Sequence, residues 1–174
     1  MGRPQVEKAA APIRAAVITV SDTVAAGQRQ DRSGPVLQSM LREKLGAAIE
    51  WAAVVPDDRE AIAGAIRRAC DQLRLDLVLT TGGTGVAPRD VTPEATRSVL
   101  EKEAPGIAEA IRWAGLQKTR ASMLSRAVAG IRGRTLIINL PGSPRGASEG
   151  LDAVWDQIPH AVGLLRGEIG LHAG

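Results

Sequence analysis

Short apolar runs that alternate with helix-like segments constrain the fold of this chain more than any other feature. Ile13–Val20, Ile49–Val55 and Leu75–Leu79 each have the length and aliphatic character of a buried strand. Between the first two, residues 36–45 place Val, Leu and Met at the 3.6-residue spacing of an amphipathic helix. This alternation predicts an α/β fold in three layers, α/β/α, with a mostly parallel sheet between two layers of helices.

The second half of the chain adds a strand pair to this pattern. Ala127–Ile131 and Arg134–Leu140 are apolar runs separated by Arg132-Gly133, which predicts a hairpin and therefore one antiparallel strand in the sheet. Two helical segments precede the hairpin, and two more follow it with a break at Pro159. The predicted order of elements is β-α-β-α-β-α-α-β-β-α-α.

Composition bounds the class of protein. The 174 residues fit a single domain, which we place at residues 13–168 between loose tails at 1–12 and 169–174. The net charge of +3 is spread along the chain without aromatic platforms, so nucleic acid is not expected as a partner. No segment is apolar enough to span a membrane or act as a signal peptide, and Cys70 stands alone, which excludes an internal disulfide. These features predict a soluble cytoplasmic protein.

A glycine-rich segment, Thr80-Thr81-Gly82-Gly83-Thr84-Gly85, directly follows the third apolar run. Three glycines in four residues remove side chains from one loop, so its backbone N–H groups can approach a bulky anion closely. A helix start predicted at Thr92-Pro93, with Thr92 as cap, completes a strand–loop–helix arrangement that commonly holds phosphate. The loop is neither a Walker loop, since Val86 follows Gly85, nor a Rossmann fingerprint. The alternative interpretation is that the glycines only form tight turns.

Two aspartates each follow a predicted strand, Asp57 after the second strand and Asp90 after the glycine-rich loop. Because the carboxyl ends of parallel strands meet at one edge of a sheet, we expect both carboxylates at one cleft. Such a pair can bind Mg²⁺ when a nucleotide supplies the other ligands. The structural alternatives are that Asp57 and Glu60 form a helix capping box and that Asp90 is a turn residue. Zinc is not expected, since His160 and His172 lack partners at ligand spacing.

Three further loops carry polar residues at the same predicted edge. Ser21-Asp22-Thr23 offers hydroxyls and a carboxylate, and Pro141–Pro144 ends the last strand. Asp31-Arg32-Ser33-Gly34 opens a helix whose N-terminus favours an anion, with Ser33 as its expected cap. Capping and strand termination explain these residues as well as ligand binding does. Ser125-Arg126, beside a strand, also fits a surface pair.

The polar loops form a series of motifs in a fixed order. They are Ser21-Asp22-Thr23 with Asp31-Arg32-Ser33-Gly34-Pro35, Val55-Pro56-Asp57-Asp58, Thr80–Gly85 with Pro88–Pro93, Met123-Leu124-Ser125-Arg126, and Ile138–Gly142. Together they resemble the molybdopterin adenylyltransferase family, which includes the bacterial MogA and MoaB proteins and the G domain of gephyrin. The resemblance runs from about Arg14 to Arg166, nearly the whole chain.

The resemblance implies a fold, an assembly and a reaction. The fold is the molybdopterin-binding α/β/α fold, and the usual assembly is a homotrimer. In the reaction, the terminal phosphate of molybdopterin attacks the α-phosphorus of ATP with Mg²⁺ present, giving adenylylated molybdopterin and pyrophosphate. Positioning and charge neutralisation suffice for this step without a covalent nucleophile. Since the chain ends soon after Arg166, we expect a separate protein to insert molybdate.

The resemblance also implies roles for particular residues. Asp57 and Asp90 match the essential acidic residues of the family, which would be catalytic and hold the magnesium. The residues that would contact the pterin or its phosphate are Ser21, Asp22, Thr81, Gly82, Gly83, Thr84, Gly85, Ser125, Pro141, Gly142 and Ser143. Those expected to bind the nucleotide are Asp31, Ser33, Gly34 and Arg89.

Two other functions fit the same residues. The first is a carrier or scaffold that holds molybdopterin without catalysis, because the glycine-rich loop would serve it equally well. It predicts pterin binding that survives loss of Asp57 and Asp90, with no ATP turnover. The second is an unrelated nucleotide-binding enzyme, which preference for NAD or GTP over ATP would indicate.

Overall fold

The computed structural model describes residues 11–168, so residues 1–10 of the first predicted tail and all of the second lie outside it. Within that range six strands form one sheet in the order β2-β1-β3-β6-β5-β4. The strands are β1 (Arg14–Val20), β2 (Ala48–Val55), β3 (Leu77–Thr81), β4 (Lys102–Glu103), β5 (Ala129–Arg132) and β6 (Thr135–Leu140). The helices are α1 (Asp22–Ala25), α2 (Ser33–Leu45), α3 (Arg59–Arg67), α4 (Thr92–Arg97), α5 (Pro105–Leu116), α6 (Pro144–Asp152) and α7 (Ile158–Arg166).

The sheet is mostly parallel, as predicted. Strands β2, β1, β3 and β6 run in one direction, and β5 is antiparallel to both of its neighbours. The predicted hairpin between β5 and β6 is therefore confirmed. The short strand β4 was not predicted, because its two residues are both exposed and carry no apolar pattern.

The start of β3 differs from the prediction by two residues. The strand begins at Leu77 and includes both threonines of the glycine-rich segment, which are buried. Leu75 precedes the strand because its N–H donates to the Ala69 carbonyl at 3.0 Å, whereas the N–H of Asp76 already donates to the Arg14 carbonyl of β1 at 2.8 Å. The glycine-rich loop consequently begins at Gly82.

An aliphatic core lies on each face of the sheet, which confirms the three-layer architecture. Leu77 and Leu79 of β3 pack into the cluster beneath α2, α5, α6 and α7, while Val78 between them packs into the cluster beneath α3 and α4. The three tryptophans lie outside the buried core. Trp51 and Trp155 are half-buried under the cationic groups of Arg68 and Lys44, and Trp113 is 68% exposed.

Three helix starts differ from the predicted caps. Helix α3 is capped by Asp58, whose Oδ1 accepts the Ala61 N–H at 2.8 Å, so the capping box predicted for Asp57 is wrong. Ser33 is the first residue of α2, and the Gly34 N–H is satisfied by Asp31. Thr92 likewise lies inside α4, where it turns its hydroxyl towards the preceding loop. These differences free Asp57 and Thr92 for contacts with the loops. No helix of residues 11–168 is long and apolar enough to cross a membrane.

Candidate active site

A cavity of about 260 Å³ opens at the carboxyl ends of β1, β3 and β6. It lies where ligands bind in open α/β sheets, because the loops after parallel strands converge there. Asp57 and Asp90 both line it, so the two carboxylates that follow different strands face one space. Its other lining residues are Thr19, Val20, Ser21, Val24, Arg29, Gln30, Asp31, Arg32, Ser33, Thr81, Gly82, Gly83, Gly142 and Pro144.

Asp57 is held by a reciprocal pair of hydrogen bonds with Asp22. The N–H of Asp22 donates to Asp57 Oδ2 at 2.9 Å, and the N–H of Asp57 donates to Asp22 Oδ1 at 3.0 Å. Arg89 closes the arrangement, since its guanidinium contacts both carboxylate oxygens of Asp22 at 2.5 and 2.9 Å and the Asp57 carbonyl at 3.2 Å. This network fixes the direction of the Asp57 carboxylate before any ligand arrives.

The pKa values of Asp57 and Asp22 are shifted in opposite directions. Burial raises the pKa of the Asp57 carboxyl above its usual range, and the neighbouring charges of Asp22 and Asp90 raise it further against the opposing hydrogen bond from Asp22. The pKa of Asp22 is lowered, chiefly by its hydrogen bonds from Arg89. A cation bound near Asp57 would therefore stabilise the ionised form of its carboxyl group.

Asp90 is fixed by its own loop and by Arg126. Its Oδ2 accepts the Ala87 N–H at 3.0 Å. Arg126 donates to the carbonyl oxygens of Asp90 and Gly85, each at 2.7 Å, and forms an ion pair with Glu94. Arg126 therefore positions the segment that carries Asp90, although it does not line the cavity. The sequence interpretation of this arginine as a surface residue missed that role.

The glycine-rich loop forms one wall of the cavity with close-packed backbone. Gly82 and Gly83 adopt φ of 108° and 65°, conformations that favour glycine. A Cβ atom on Gly82 would lie 2.2 Å from the Val20 carbonyl oxygen, and one on Gly83 would lie 2.4 Å from Thr92 Oγ1. The Thr92 hydroxyl donates to the Gly82 carbonyl at 2.9 Å and holds the loop in place. The glycines thus form tight turns, and those turns border the space that Asp57 faces.

A second cavity of about 270 Å³ lies on the other side of the same loops. Of the residues predicted to contact the pterin, it is lined by Thr84, Gly85, Ser125, Pro141 and Ser143. Helices α5 and α6 and the turn Arg120–Leu124 complete it, with apolar side chains such as Ile111 and Leu124. Gly142 lines the first cavity, and its added Cβ would lie 3.1 Å from Gly82 Cα. Residues 81–85 and 141–144 therefore form a thin partition between two cavities.

The structure divides the predicted site residues into three groups. Those of the first cavity are Ser21, Asp31, Ser33, Asp57, Thr81, Gly82, Gly83, Asp90 and Gly142, and those of the second are Thr84, Gly85, Ser125, Pro141 and Ser143. Asp22, Gly34 and Arg89 line neither cavity and instead support Asp57 and Asp31. Several predicted side chains also have structural partners: the Thr81 hydroxyl donates to the Pro141 carbonyl at 2.6 Å, and Ser143 caps α6.

Asp57 and Asp90 form a donor set that fits magnesium bound together with a phosphate ligand. Within residues 11–168 no group of three or more His, Cys, Asp or Glu side chains is arranged to hold a metal by itself. Mg²⁺ is commonly bound through one or two carboxylates with substrate phosphates and waters as the remaining ligands. The shared cavity and the raised pKa of Asp57 agree with that mode of binding.

Comparison with known proteins places the chain in a family. The protein-family model described as "Probable molybdopterin binding domain" matches residues 16–160. The molybdopterin adenylyltransferase of Helicobacter pylori strain J99 is 43% identical over 156 residues, 89% of either chain. The molybdenum cofactor synthesis protein cinnamon of Drosophila melanogaster is 41% identical over 155 residues, 89% of this chain but 26% of that protein. The solved structure of the molybdopterin biosynthesis enzyme MoaB from Thermus thermophilus matches with a TM-score of 0.83 at 48% identity, over 89% of this chain and 97% of that one. The chain therefore belongs to the molybdopterin-binding family of molybdenum cofactor biosynthesis.

Proposed function

We propose that the protein is a molybdopterin adenylyltransferase, which transfers AMP from ATP to the terminal phosphate of molybdopterin. The observation that carries the proposal is the pair of cavities on either side of one glycine partition, with Asp57 and Asp90 facing the first. The reaction needs two anionic substrates to meet at one phosphorus atom. A partition with four glycines among its nine residues lets them approach while backbone groups and a cation offset their repulsion.

The transfer is a single displacement at phosphorus. An oxygen of the molybdopterin phosphate attacks the α-phosphorus of ATP, forming one P–O bond. The bond between the α-phosphorus and the oxygen bridging to the β-phosphorus breaks, and pyrophosphate leaves with that electron pair. The attacking phosphate oxygen is already anionic at neutral pH, so no side chain has to remove a proton. Alignment and charge stabilisation account for the protein's contribution.

The two cavities divide the substrates between them. The first, with Asp31, Ser33 and the two aspartates, receives the nucleotide, and the second receives the pterin between α5 and the turn that follows it. Asp57 and Asp90 would hold Mg²⁺, which neutralises phosphate charge and polarises the phosphorus when bound. Asp22 and Arg89 orient Asp57, and Arg126 orients Asp90. Gly34 keeps Asp31 fixed at the start of α2.

A carrier that holds molybdopterin without catalysis is the second candidate. The observation that favours it is that neither Asp57 nor Asp90 lines the second cavity, so a pterin could be held there without them. Such a protein would use the second cavity alone. It would bind molybdopterin equally well after substitution of Asp57 and Asp90, and it would not consume ATP.

The experiment is an assay with molybdopterin, ATP and Mg²⁺ that measures adenylylated molybdopterin and pyrophosphate. We expect Asp57→Asn and Asp90→Asn each to lower the rate at least about 100-fold, since each removes a charge that acts on the reacting phosphates. Asp58→Asn is the matched control, because asparagine caps a helix as well as aspartate does. Absence of product with the intact protein, or undiminished rates in both variants, would overturn the proposal.

The wider setting of the proposed enzyme follows its family. We propose a homotrimer that works in the cytoplasm and passes adenylylated molybdopterin to a separate protein that inserts molybdate. Three exposed apolar side chains on and after α5, Trp113, Met123 and Leu124, support the assembly.

A further inference from the structure

Two arginines of the first cavity have no role in the site described above. Arg29 and Arg32 line it beside Asp31 and Ser33, in the loop between α1 and α2. Among residues 11–168 neither guanidinium makes an ion pair or a hydrogen bond with a side chain or carbonyl, whereas Arg89 and others nearby are paired. They are also the only arginines among the described residues that line this cavity.

The backbone that carries these arginines is fixed at both ends. The Thr23 carbonyl accepts the N–H groups of Gln28 at 2.9 Å and Arg29 at 3.2 Å. Asp31 accepts the Thr19 hydroxyl at 2.7 Å and the Gly34 N–H at 3.0 Å. The loop thus presents two free cationic side chains on an ordered base, and little backbone order has to be gained on binding.

Charge balance in the cavity calls for cations at this position. Asp31, Asp57 and Asp90 all line the cavity, and a triphosphate adds several negative charges. One divalent cation held by two carboxylates does not offset that total. The planar guanidinium fork matches the oxygens of a phosphate group and is the preferred side chain for this purpose.

The order of strands sets the direction of the reaction. Along the sheet, the loop of Arg29 and Arg32 follows β1 and the glycine-rich loop follows β3. The second cavity is lined by the segment after β6 with helices α5 and α6 and by no residue of the loop after β1. Molybdopterin therefore approaches the α-phosphorus from the β6 side. In an in-line displacement the leaving group departs opposite to the nucleophile. Pyrophosphate must then point towards the β1 side, where the two arginines lie.

We infer that Arg29 and Arg32 bind the β- and γ-phosphates of ATP and hold the departing pyrophosphate. The inference rests on the proposed adenylyl transfer for its orientation, but pyrophosphate binding can be measured without turnover. The two arginines contact the leaving group, while the two aspartates act at the α-phosphate. Arg29 and Arg32 determine the affinity for the triphosphate tail of ATP and have no part in binding AMP.

Calorimetric titration of the intact protein with magnesium pyrophosphate, and separately with AMP, tests the inference. We expect Arg29→Ala and Arg32→Ala each to weaken pyrophosphate binding about tenfold and to leave AMP binding unchanged, since each removes one charged contact. Arg42→Ala is the control, because Arg42 is an exposed arginine near the far end of the same helix α2. Arg32→Lys keeps the charge without the fork and should fall between wild type and alanine.

The outcomes separate this inference from the proposed function. Equal pyrophosphate affinity in wild type and both alanine variants would overturn the arginine site even if adenylyl transfer is observed. Turnover of ATP with an unchanged KM for ATP in both alanine variants would also overturn the arginine site. Arginine-dependent pyrophosphate binding in a protein that forms no adenylylated product would support the phosphate site and overturn the transferase.

Discussion

Asp57 carries its negative charge at a position that disfavours it. Burial and the nearby carboxylates raise its pKa, and the hydrogen bond from the Asp22 N–H offsets only part of that cost. A cost of this kind is common at functional sites, where stability is given up for a charge that a ligand will later use. Asp22 and Arg89 keep the charge pointed into the cavity, although the side chain of neither faces it.

The raised pKa predicts how Asp57 affects stability. A carboxyl whose pKa is higher in the folded than in the unfolded state stabilises the fold only while protonated, and this contribution is lost as the pH rises through the folded pKa. At neutral pH the ionised group is therefore unfavourable. We expect Asp57→Asn, which can still accept the Asp22 N–H, to raise Tm at pH 7 by about 1–3 °C. Thermal unfolding followed by circular dichroism measures this shift. The gain should vanish near pH 3, and a lower Tm at pH 7 would contradict the assigned cause.

The residues of the site differ in how readily the sequence identifies them. Asp57 and Asp90 could be singled out because each follows a strand in a parallel arrangement, which places it at the ligand-binding edge. Arg126 could not, since the carbonyls it holds lie 36 and 41 residues earlier in the chain and no local pattern connects them. Arg29 belongs to no motif, and only the folded loop brings it to the cavity.

At the scale of elements, the connection from β3 to α4 determines what the site can hold. Its backbone passes so close to Val20 and Thr92 that only glycine fits at two successive positions. The loop is held by the Thr92 hydroxyl on one side and by Arg126 on the other. It therefore forms a rigid partition, and both cavities depend on its path.

Glycine substitutions test that dependence. We expect Gly82→Ala to destabilise the protein by about 2–4 kcal/mol, because its Cβ would lie 2.2 Å from a carbonyl oxygen at a φ of 108°. Gly64→Ala, inside α3 with no atom within 4 Å of the added Cβ, should instead gain about 0.5–1 kcal/mol. Urea unfolding of both variants gives the two free energies. Equal effects at the two glycines would show that the loop relaxes and that the partition is not rigid.

The elements themselves were predictable where apolar periodicity was strong. Strands β1, β2 and β6 and their parallel order followed from the alternation of apolar runs with amphipathic helices. The helix caps were not predictable. Asp57 and Asp58 are adjacent and carry the same side chain, and only the direction of the backbone makes Asp58 the cap and leaves the Asp57 carboxylate free of that role. The start of β3 was displaced because the Leu75 N–H bonds to the Ala69 carbonyl, a contact that the apolar pattern does not reveal.

At the scale of the whole molecule, three large apolar side chains on α5 and the turn after it are exposed. Trp113 is 68% exposed, Met123 56% and Leu124 51%, and a hydrogen bond of 3.2 Å from the Ser122 hydroxyl to the Arg112 carbonyl joins α5 to the turn that bears the other two. Association through this patch, defined by Trp113, Met123 and Leu124, would bring a neighbouring chain close to the cavity assigned to the pterin.

The proposed trimer can be measured directly. We expect a mass of about three times the 18.2 kDa of one chain in analytical ultracentrifugation. Trp113→Glu should shift the mass towards that of one chain, because burying a carboxylate in an apolar contact is costly. Val54→Glu, at another exposed apolar position on the edge strand β2, serves as the control and should leave the mass unchanged. A single-chain mass in the wild type would exclude the assembly.

The placement of the tryptophans gives the protein an intrinsic optical reporter. The chain contains neither phenylalanine nor tyrosine, so its ultraviolet emission arises from three indole rings that all lie outside the aliphatic core. Two of these rings are covered by cations that remain beside them, while the third is open to water. A blue shift of the emission on concentrating the protein would therefore report contact at a single ring, that of Trp113, because Trp51 and Trp155 already pack against the core.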